Sequence, residues 1–219
     1  MKRIDSDIRD DVQAELTWEP RVRDSRGIGV AVKDGVTTLT GTLDSYPEKW
    51  AAERAAERVD GVRAVASELI VRPPNGAERS DEAVADAVVN ALGASLPVPH
   101  ERIKALVRKG WVTLDGEVDQ NYEREAAEQA VRVLAGVRGI ANLITVKPPV
   151  NEAVVKADIE AALKRIAEVD AQRITVHANG HSVTLTGEVR SAAERRAAER
   201  VTWAAPGVFE VENRIAVGR

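Results

Sequence analysis

The chain has 219 residues, of which 44% are hydrophobic but only seven are aromatic (four Trp, two Tyr and one Phe), so a core must consist mainly of Ala, Val, Leu and Ile. The absence of Cys excludes disulfides, thiolate zinc sites and Cys nucleophiles. The net charge of −4, from 31 basic and 35 acidic residues, lacks the basic excess typical of nucleic-acid binding, so we expect no nucleic-acid partner.

Neither the apolar runs nor the N-terminal residues predict a segment that enters a membrane. No apolar run approaches the roughly 18 residues that a membrane-spanning helix needs. The N-terminus has acids at Asp5 and Asp7, where a secretory signal would begin its apolar stretch. We therefore expect a chain that starts at Met1 to stay in the cytoplasm, with at most a peripheral attachment to a membrane.

One unit occurs three times along the chain. The segment GVTTLTGTL at 35–43 recurs as GWVTLDGEV at 110–118 and as HSVTLTGEV at 181–189. A further Gly follows the inner Gly of each segment after 20 residues, as Gly61, Gly136 and Gly207. Pro pairs at 73–74 and 148–149 separate the copies and favour short, stiff connectors. The sequence therefore predicts three domains, at 1–72, 77–147 and 151–218.

Each copy begins with a predicted helix, because apolar residues recur four positions apart. These are Ile8, Val12 and Leu16, then Val84, Val88 and Leu92, then Val155, Ile159 and Leu163. Two strands with alternating apolar residues follow, the first starting near Ile28, Ile103 or Ile174. The pairs Asp34-Gly35, Lys109-Gly110 and Asn179-Gly180 lie between the strands, where they predict a tight antiparallel hairpin.

A second helix is predicted from about Tyr46, Asn121 or Ser191, and a third strand ends at Val71, Val146 or Val217. Gly41, Gly116 and Gly187 fall on inward strand positions, where we expect a helix backbone to approach closely. Gly61, Gly136 and Gly207 are predicted to stop the second helix in a left-handed conformation. The outer face of that helix is predicted to be solvated. In the first copy it carries Glu48, Glu53, Arg54, Glu57 and Arg58.

These features together resemble the BON domain family. The resemblance is carried by VTLDGEV at 112–118 with Gly136-Val137 and by VTLTGEV at 183–189 with Gly207-Val208, and the first copy departs from it at Thr37 and Thr42. It implies an α+β fold of three tandem αββαβ units, each with two helices packed on a three-stranded mixed sheet. It also implies a bacterial source and a non-enzymatic role in osmotic or envelope stress, through binding of phospholipid membranes or other proteins.

No residue pattern predicts catalysis, a cofactor or a metal. His177 and His181 flank a hairpin turn without a visible third ligand, since His100 belongs to another copy, and we interpret them as inert. Asp5, Asp7, Asp10 and Asp11 are interpreted as acids at the start of a helix, where the helix dipole favours them. An enzyme would need a cleft that gathers titratable residues with perturbed pKa values.

The four tryptophans are the main functional candidates. Aligning the copies places Trp18 with Ala94 and Arg165, Trp50 with Glu125 and Arg196, Trp111 with Val36 and Ser182, and Trp203 with Glu57 and Arg132. The common core therefore does not require these rings, and a large aromatic side chain at an otherwise polar position usually covers something. Three explanations stay open: packing between copies, contact with a protein partner, or insertion at a lipid headgroup layer.

From these observations we predict a binding protein. The first hypothesis is peripheral association with a phospholipid membrane, linked to osmotic or envelope stress. The alternative is a cytoplasmic protein-interaction scaffold or stress-protective module without lipid binding. In either case Trp18, Trp50, Trp111 and Trp203 are the predicted contact residues.

Overall fold

The computed structural model describes residues 4–74, 78–95, 99–147, 156–164, 173–205 and 207–218, without the side chains of 156–158 and 164. The first repeat contains α1 (Asp5–Trp18), β1 (Gly29–Lys33), β2 (Val36–Leu43), α2 (Tyr46–Arg58) and β3 (Ala64–Val71). The second contains α3 (Asp81–Ala94), β4 (Ile103–Arg108), β5 (Trp111–Val118), α4 (Asn121–Arg132), β6 (Gly139–Asn142) and β7 (Thr145–Val146). The third contains α5 (Lys156–Lys164), β8 (Ile174–Asn179), β9 (Ser182–Val189), α6 (Ala192–Trp203) and β10 (Glu210–Val217).

The fold class is α+β, with three tandem αββαβ units. In each sheet the second strand is central, in the orders β1-β2-β3, β4-β5-β6 and β8-β9-β10. The sheets are mixed: β8 pairs antiparallel with β9, for example, whereas β10 pairs parallel with it. The second repeat departs from a single third strand, because β6 and β7 pair separately with β5. The break follows Asn142, whose Oδ1 accepts the Ile144 N–H at 3.3 Å.

The chain forms two compact units. The first comprises 1–41, 51–69 and 150–219, and the second comprises 42–50 and 70–149. The predicted helix stripes are buried in these units, except that Val155 lies outside the described residues. Leu16, Leu39, Leu114, Ile159, Leu163 and Leu185 are the largest fully buried side chains. The core therefore consists of aliphatic side chains, as the composition predicts.

The hairpins of the first two repeats turn as predicted. Asp34 and Gly35 have φ values of 53° and 76°, and Lys109 and Gly110 have 51° and 77°. The third hairpin is shifted by one residue from the prediction, because Asn179 is still paired with Ser182 and the turn is formed by Gly180 and His181. The Nδ1 of His181 lies 2.9 Å from the Gly207 carbonyl oxygen, within hydrogen-bond distance.

The close approach at the inner glycines is made by a different segment from the one predicted. A Cβ at Gly41 would lie 2.5 Å from the carbonyl oxygen of Gly27. At Gly116 and Gly187 it would overlap the carbonyl oxygens of Arg102 and Arg173. The chain that enters the first strand therefore crosses over these positions, and no helix backbone is needed to explain the glycines.

A carboxylate ties the first helix to the hairpin in two of the repeats. Asp81 accepts the N–H groups of Lys109 at 2.7 Å and of Gly110 at 2.9 Å. Asp5 accepts those of Asp34 at 2.8 Å and of Gly35 at 3.1 Å. The bonds from Gly110 and Lys109 lower the pKa of Asp81 below its ordinary value. The first residue of α1 and the first residue of α3 therefore each bind the hairpin turn of their own repeat.

Replacing Asp81 by Asn should lower the stability at neutral pH, because the neutral amide has one acceptor oxygen where the carboxylate has two. Since the folded-state pKa is depressed, the carboxylate stabilises the protein above its ordinary pKa and loses this effect as the pH falls through the depressed value. The difference in urea midpoint between Asp81→Asn and the wild type should thus shrink at low pH. Glu82→Gln, on the neighbouring exposed residue, is the control, and an equal pH dependence of both variants would contradict the assignment.

Within the first unit, the start of α6 contacts the end of α2. Gly61 N–H donates to the Arg190 carbonyl at 2.8 Å, and Ala192 N–H donates to the Val62 carbonyl at 3.1 Å. The Arg196 guanidinium also binds Glu57 through two nitrogens. The side chain of Glu57 is only 7% exposed and Glu48 is also buried, so the prediction that these two residues lie on a solvated helix face is wrong. Glu57 is covered by Arg196, a residue of another repeat.

Candidate functional site

The sheet of the second repeat has one face on the core and one outer face. Val112, Leu114 and Val118 of β5 are buried, so the alternate residues of that strand, starting with Trp111, lie on the outer face. Leu106 of β4 is opposite Thr113 in the strand register and lies on the same side. Both residues are exposed to solvent, Leu106 to 66% and Trp111 to 52%.

Leu143 extends this outer face across the break between β6 and β7. Its neighbours Asn142 and Ile144 face the core side, since Asn142 Nδ2 donates to the Arg124 carbonyl of α4 at 3.1 Å and Ile144 is buried. Leu143 itself is 58% exposed, and its N–H donates to the Leu114 carbonyl at 2.8 Å. The second repeat therefore presents Leu106, Trp111 and Leu143 to solvent on one face of the sheet, and we call this set the outer apolar patch. Leu106 and Leu143 lie on opposite sides of β5, with Thr113 and Asp115 between them.

The equivalent positions in the other repeats are not apolar to this extent. They are Ala31, Val36 and Glu68 in the first repeat, and His177, Ser182 and Arg214 in the third. All three repeats place the same strands at these positions, so the fold does not impose the large apolar residues. The outer apolar patch is a property of the second repeat.

The Trp111 ring is held flat on the sheet. A Cβ at Gly139, its partner in β6, would lie 2.5 Å from Cζ3 of the indole, so any larger residue there would displace the ring from this position. Lys49 Nζ, from the first turn of α2, lies 5.9 Å from the ring centroid, which is within reach of a cation–π interaction. The ring therefore packs over Gly139, and about half of the residue is exposed to solvent.

Basic residues surround the Trp111 end of the patch. Arg108 is opposite Trp111 in the register, Lys109 lies in the turn, and both are exposed. Lys104, farther along β4, is opposite Asp115. At the other end of β5, Glu117 forms an ion pair with Lys147. The positive charges of Arg108 and Lys109 thus lie next to the indole, and the Asp81 carboxylate is bonded to the backbone of the same turn.

The other tryptophans lie in different surroundings. Trp18, at the end of α1, is 83% exposed, whereas Trp50 and Trp203 are half-buried. Trp50 contacts the second repeat, where the Arg132 guanidinium lies 4.0 Å from its ring centroid. Of the four predicted contact residues, Trp111 is the one on the sheet face that carries the outer apolar patch, and Leu106 and Leu143 were not predicted at all.

The second glycine of each repeat lies in the turn after the second helix. Gly61, Gly136 and Gly207 have φ values of 91°, 92° and 79°, which favour glycine. The helices end three or four residues earlier, at Arg58, Arg132 and Trp203. These glycines therefore shape the turn that leads to the third strand, rather than the last helical residue itself.

A polar cleft of about 250 Å³ lies next to the hairpin of the second repeat. Its lining includes Asp81 and Arg138, but Asp81 is bonded to the turn and Arg138 Nη2 donates to Glu78 at 2.9 Å. In the part of the chain that the structure describes, no three His, Asp or Glu residues gather as metal ligands. Among the same residues, no helix is both long and apolar enough to cross a bilayer.

Comparison with known proteins gives a consistent family match. Residues 4–73, 80–148 and 151–219 each match the family model described as BON domain. Osmotically-inducible protein Y of Escherichia coli (strain K12) is 29% identical over 147 residues, which are 65% of this chain and 73% of that protein.

Solved structures show only a distant likeness. CdsD, described as a structural protein of the type III secretion system of Chlamydia trachomatis, is 12% identical, with a TM-score of 0.25 over 97% of this chain and 92% of that one. The PrgH periplasmic domain is 12% identical, with a TM-score of 0.23 over 88% of this chain and 95% of that one. TM-scores of this size carry no argument about function.

Proposed function

Because the chain belongs to the BON domain family and carries three copies of that domain in tandem, we propose that it is a non-enzymatic binding protein of the osmotic-stress response that attaches peripherally to phospholipid membranes. The osmotic role rests on the name of its relative, osmotically-inducible protein Y. Attachment is assigned to the outer apolar patch of the second repeat.

The observation that carries this proposal is an exposed indole that shares one sheet face with two exposed leucines and has basic side chains next to it. Trp side chains favour the headgroup layer of a membrane, because the ring is apolar and its N–H donates a hydrogen bond. Leu106 and Leu143, on the two sides of β5, would enter the acyl boundary on the same face as the ring. Arg108 and Lys109 would meet the phosphates of anionic lipids, at about 1 kcal/mol for each basic residue near the surface.

Replacing Trp111 by Glu should reduce vesicle binding at least roughly tenfold, since it removes an inserted ring and adds a charge that anionic lipids repel. The measurement is co-sedimentation at low salt with phosphatidylcholine vesicles, with and without phosphatidylglycerol. Trp18→Glu is the matched control, because it makes the same change at an exposed Trp outside the patch. Failure of the wild type to bind either vesicle would refute membrane attachment.

A protein-interaction scaffold is the second candidate. The net charge of −4 favours it, because the chain as a whole is repelled by an anionic surface. Trp111 of the outer apolar patch has Arg108 opposite it in the strand register, and Trp and Arg are residue types enriched at protein interfaces. A purified protein partner that is lost on Trp111→Glu, together with no vesicle binding by the wild type, would favour this candidate.

A further inference from the structure

At the contact between α6 and α2, Arg196 of the third repeat forms an ion pair with Glu57 of the first repeat. Glu57 lies near the end of α2, and Arg196 lies in the second turn of α6. The carboxylate is nearly buried and receives Arg54 Nη1 at 3.0 Å as well as the guanidinium of Arg196. Two backbone hydrogen bonds, from Gly61 to Arg190 and from Ala192 to Val62, lie beside this ion pair.

A second contact of the same kind exists in the second unit. Trp50, in the second turn of α2, has the guanidinium of Arg132 over its ring, and Arg132 is the last residue of α4. Arg132 Nη2 is held by Glu128 Oε1 at 2.7 Å, which fixes the guanidinium in place. Tyr46, one turn before Trp50, belongs to the hydrophobic cluster of the second repeat.

Aligning the repeats shows that both contacts use equivalent positions. Arg196 corresponds to Trp50, and Glu57 corresponds to Arg132. Ala192, which bonds to the first repeat, likewise corresponds to Tyr46, which packs on the second. In both cases the start of the second helix of one repeat meets the end of the second helix of another, but the facing side chains differ in chemistry.

We propose that the repeats recognise one another through this single directional contact, and that the facing pair of side chains decides which repeats associate. The pair is Arg196 with Glu57 between the third and first repeats, and Trp50 with Arg132 between the first and second. The partner of each surface is thus another repeat of this chain, selected by one residue. This inference is independent of membrane binding.

The crossed pairs are unfavourable, which gives the contact its selectivity. Arg196 facing Arg132 would bring two cations together in a partly desolvated position. Trp50 facing Glu57 would bring a carboxylate to the negative face of an aromatic ring. Both observed pairs are attractive and both of these exchanged pairs are repulsive, so selection between the two contacts does not depend on the backbone surfaces that the repeats share.

Hydrogen exchange of the full-length protein tests the proposal directly, because the amide protons of Gly61 and Ala192 bond across the contact. Arg196→Glu should speed exchange of both at least about tenfold, while the amides within β9 keep their protection. Arg214→Glu is the matched control, since it reverses an exposed Arg of the same repeat that is paired only with Glu212 in the described structure. If Arg196→Glu also loosens β9, Arg196→Gln provides the same comparison without the opposing charge.

A transplant of the second pair into the first contact tests the selection rule. Arg54→Gln, Glu57→Arg and Arg196→Trp together reproduce Gln129, Arg132 and Trp50. This triple variant should recover most of the protection that Glu57→Arg alone removes. Unchanged protection of Gly61 and Ala192 in Arg196→Glu and Arg196→Gln, or a triple variant no better protected than Glu57→Arg, would overturn the proposal.

Discussion

Replacing Gly116 by Ala is expected to destabilise the second repeat by about 3 kcal/mol or more. The residue has a φ of 149°, which side chains other than the hydrogen of Gly rarely tolerate. An added Cβ would also overlap the carbonyl oxygen of Arg102, where the chain enters β4. Because the obstacle is backbone and β5 is the central strand, neither side can move without disturbing the sheet.

The matched control for this prediction is Gly93→Ala. Gly93 lies exposed in α3, and nothing is within 4 Å of a Cβ placed there. Ala should therefore stabilise the helix by about 0.5 to 1 kcal/mol. Urea unfolding of both variants, followed by circular dichroism, gives the two values. A loss at Gly116 no larger than about 1 kcal/mol would contradict the close approach.

The second large effect is expected at Glu19, a buried carboxylate that follows α1. Its Oε1 accepts Arg21 Nε at 2.8 Å, and its Oε2 accepts Arg58 Nη2 at 3.0 Å. The hydrogen bond from Arg21 is the main reason that the pKa of Glu19 falls from 4.5 to about 2, and Arg58 adds to it, while burial works against both. The carboxylate thus connects the end of α1 with the end of α2.

This lowered pKa sets the sign of a pH dependence. Because the folded-state pKa lies below the unfolded one, Glu19 stabilises the fold fully above about pH 4.5, and this effect is lost as the pH falls toward about 2. Glu19→Gln should cost about 2 to 3 kcal/mol at pH 7 and much less near pH 2.5.

Glu15→Gln is the control for Glu19. Glu15 binds the same arginine, with its Oε1 2.8 Å from Arg58 Nε, but its side chain is 36% exposed. Its loss should cost no more than about 1 kcal/mol. Guanidinium chloride unfolding across this pH range separates the two residues, and equal effects of both variants would show that burial of Glu19 does not matter.

The elements of each repeat follow from local sequence, because each is encoded by a short period. Spacing of four predicts α1 and α3, and alternation predicts β2, β5 and β9. What the sequence does not reveal depends on residues far apart in the chain. The local sequence predicts that Glu57 is a solvated helix residue, because the Arg196 that binds it lies 139 positions later in the chain. Asp5 and Asp81 likewise bond to turns 28 to 30 residues away.

The candidate site was only partly predictable. Comparison among the copies singles out Trp111, because the equivalent residues are Val36 and Ser182. The same comparison applied to smaller side chains singles out Leu143, whose counterparts are Glu68 and Arg214. Leu143 was not predicted because it belongs to the apolar run that ends at Val146, and such a run near the end of a repeat resembles a buried strand.

The position of the third strand has a consequence for folding of the chain. The central strand of each sheet pairs first with the strand before it, but its other edge waits for a strand that follows a helix of 12 or 13 residues. Until that third strand joins the sheet, the hairpin carries an open edge that any extended segment is able to join. Three repeats each have such an edge, so correct folding requires that each repeat adds its own third strand before a strand of another repeat pairs with the open edge.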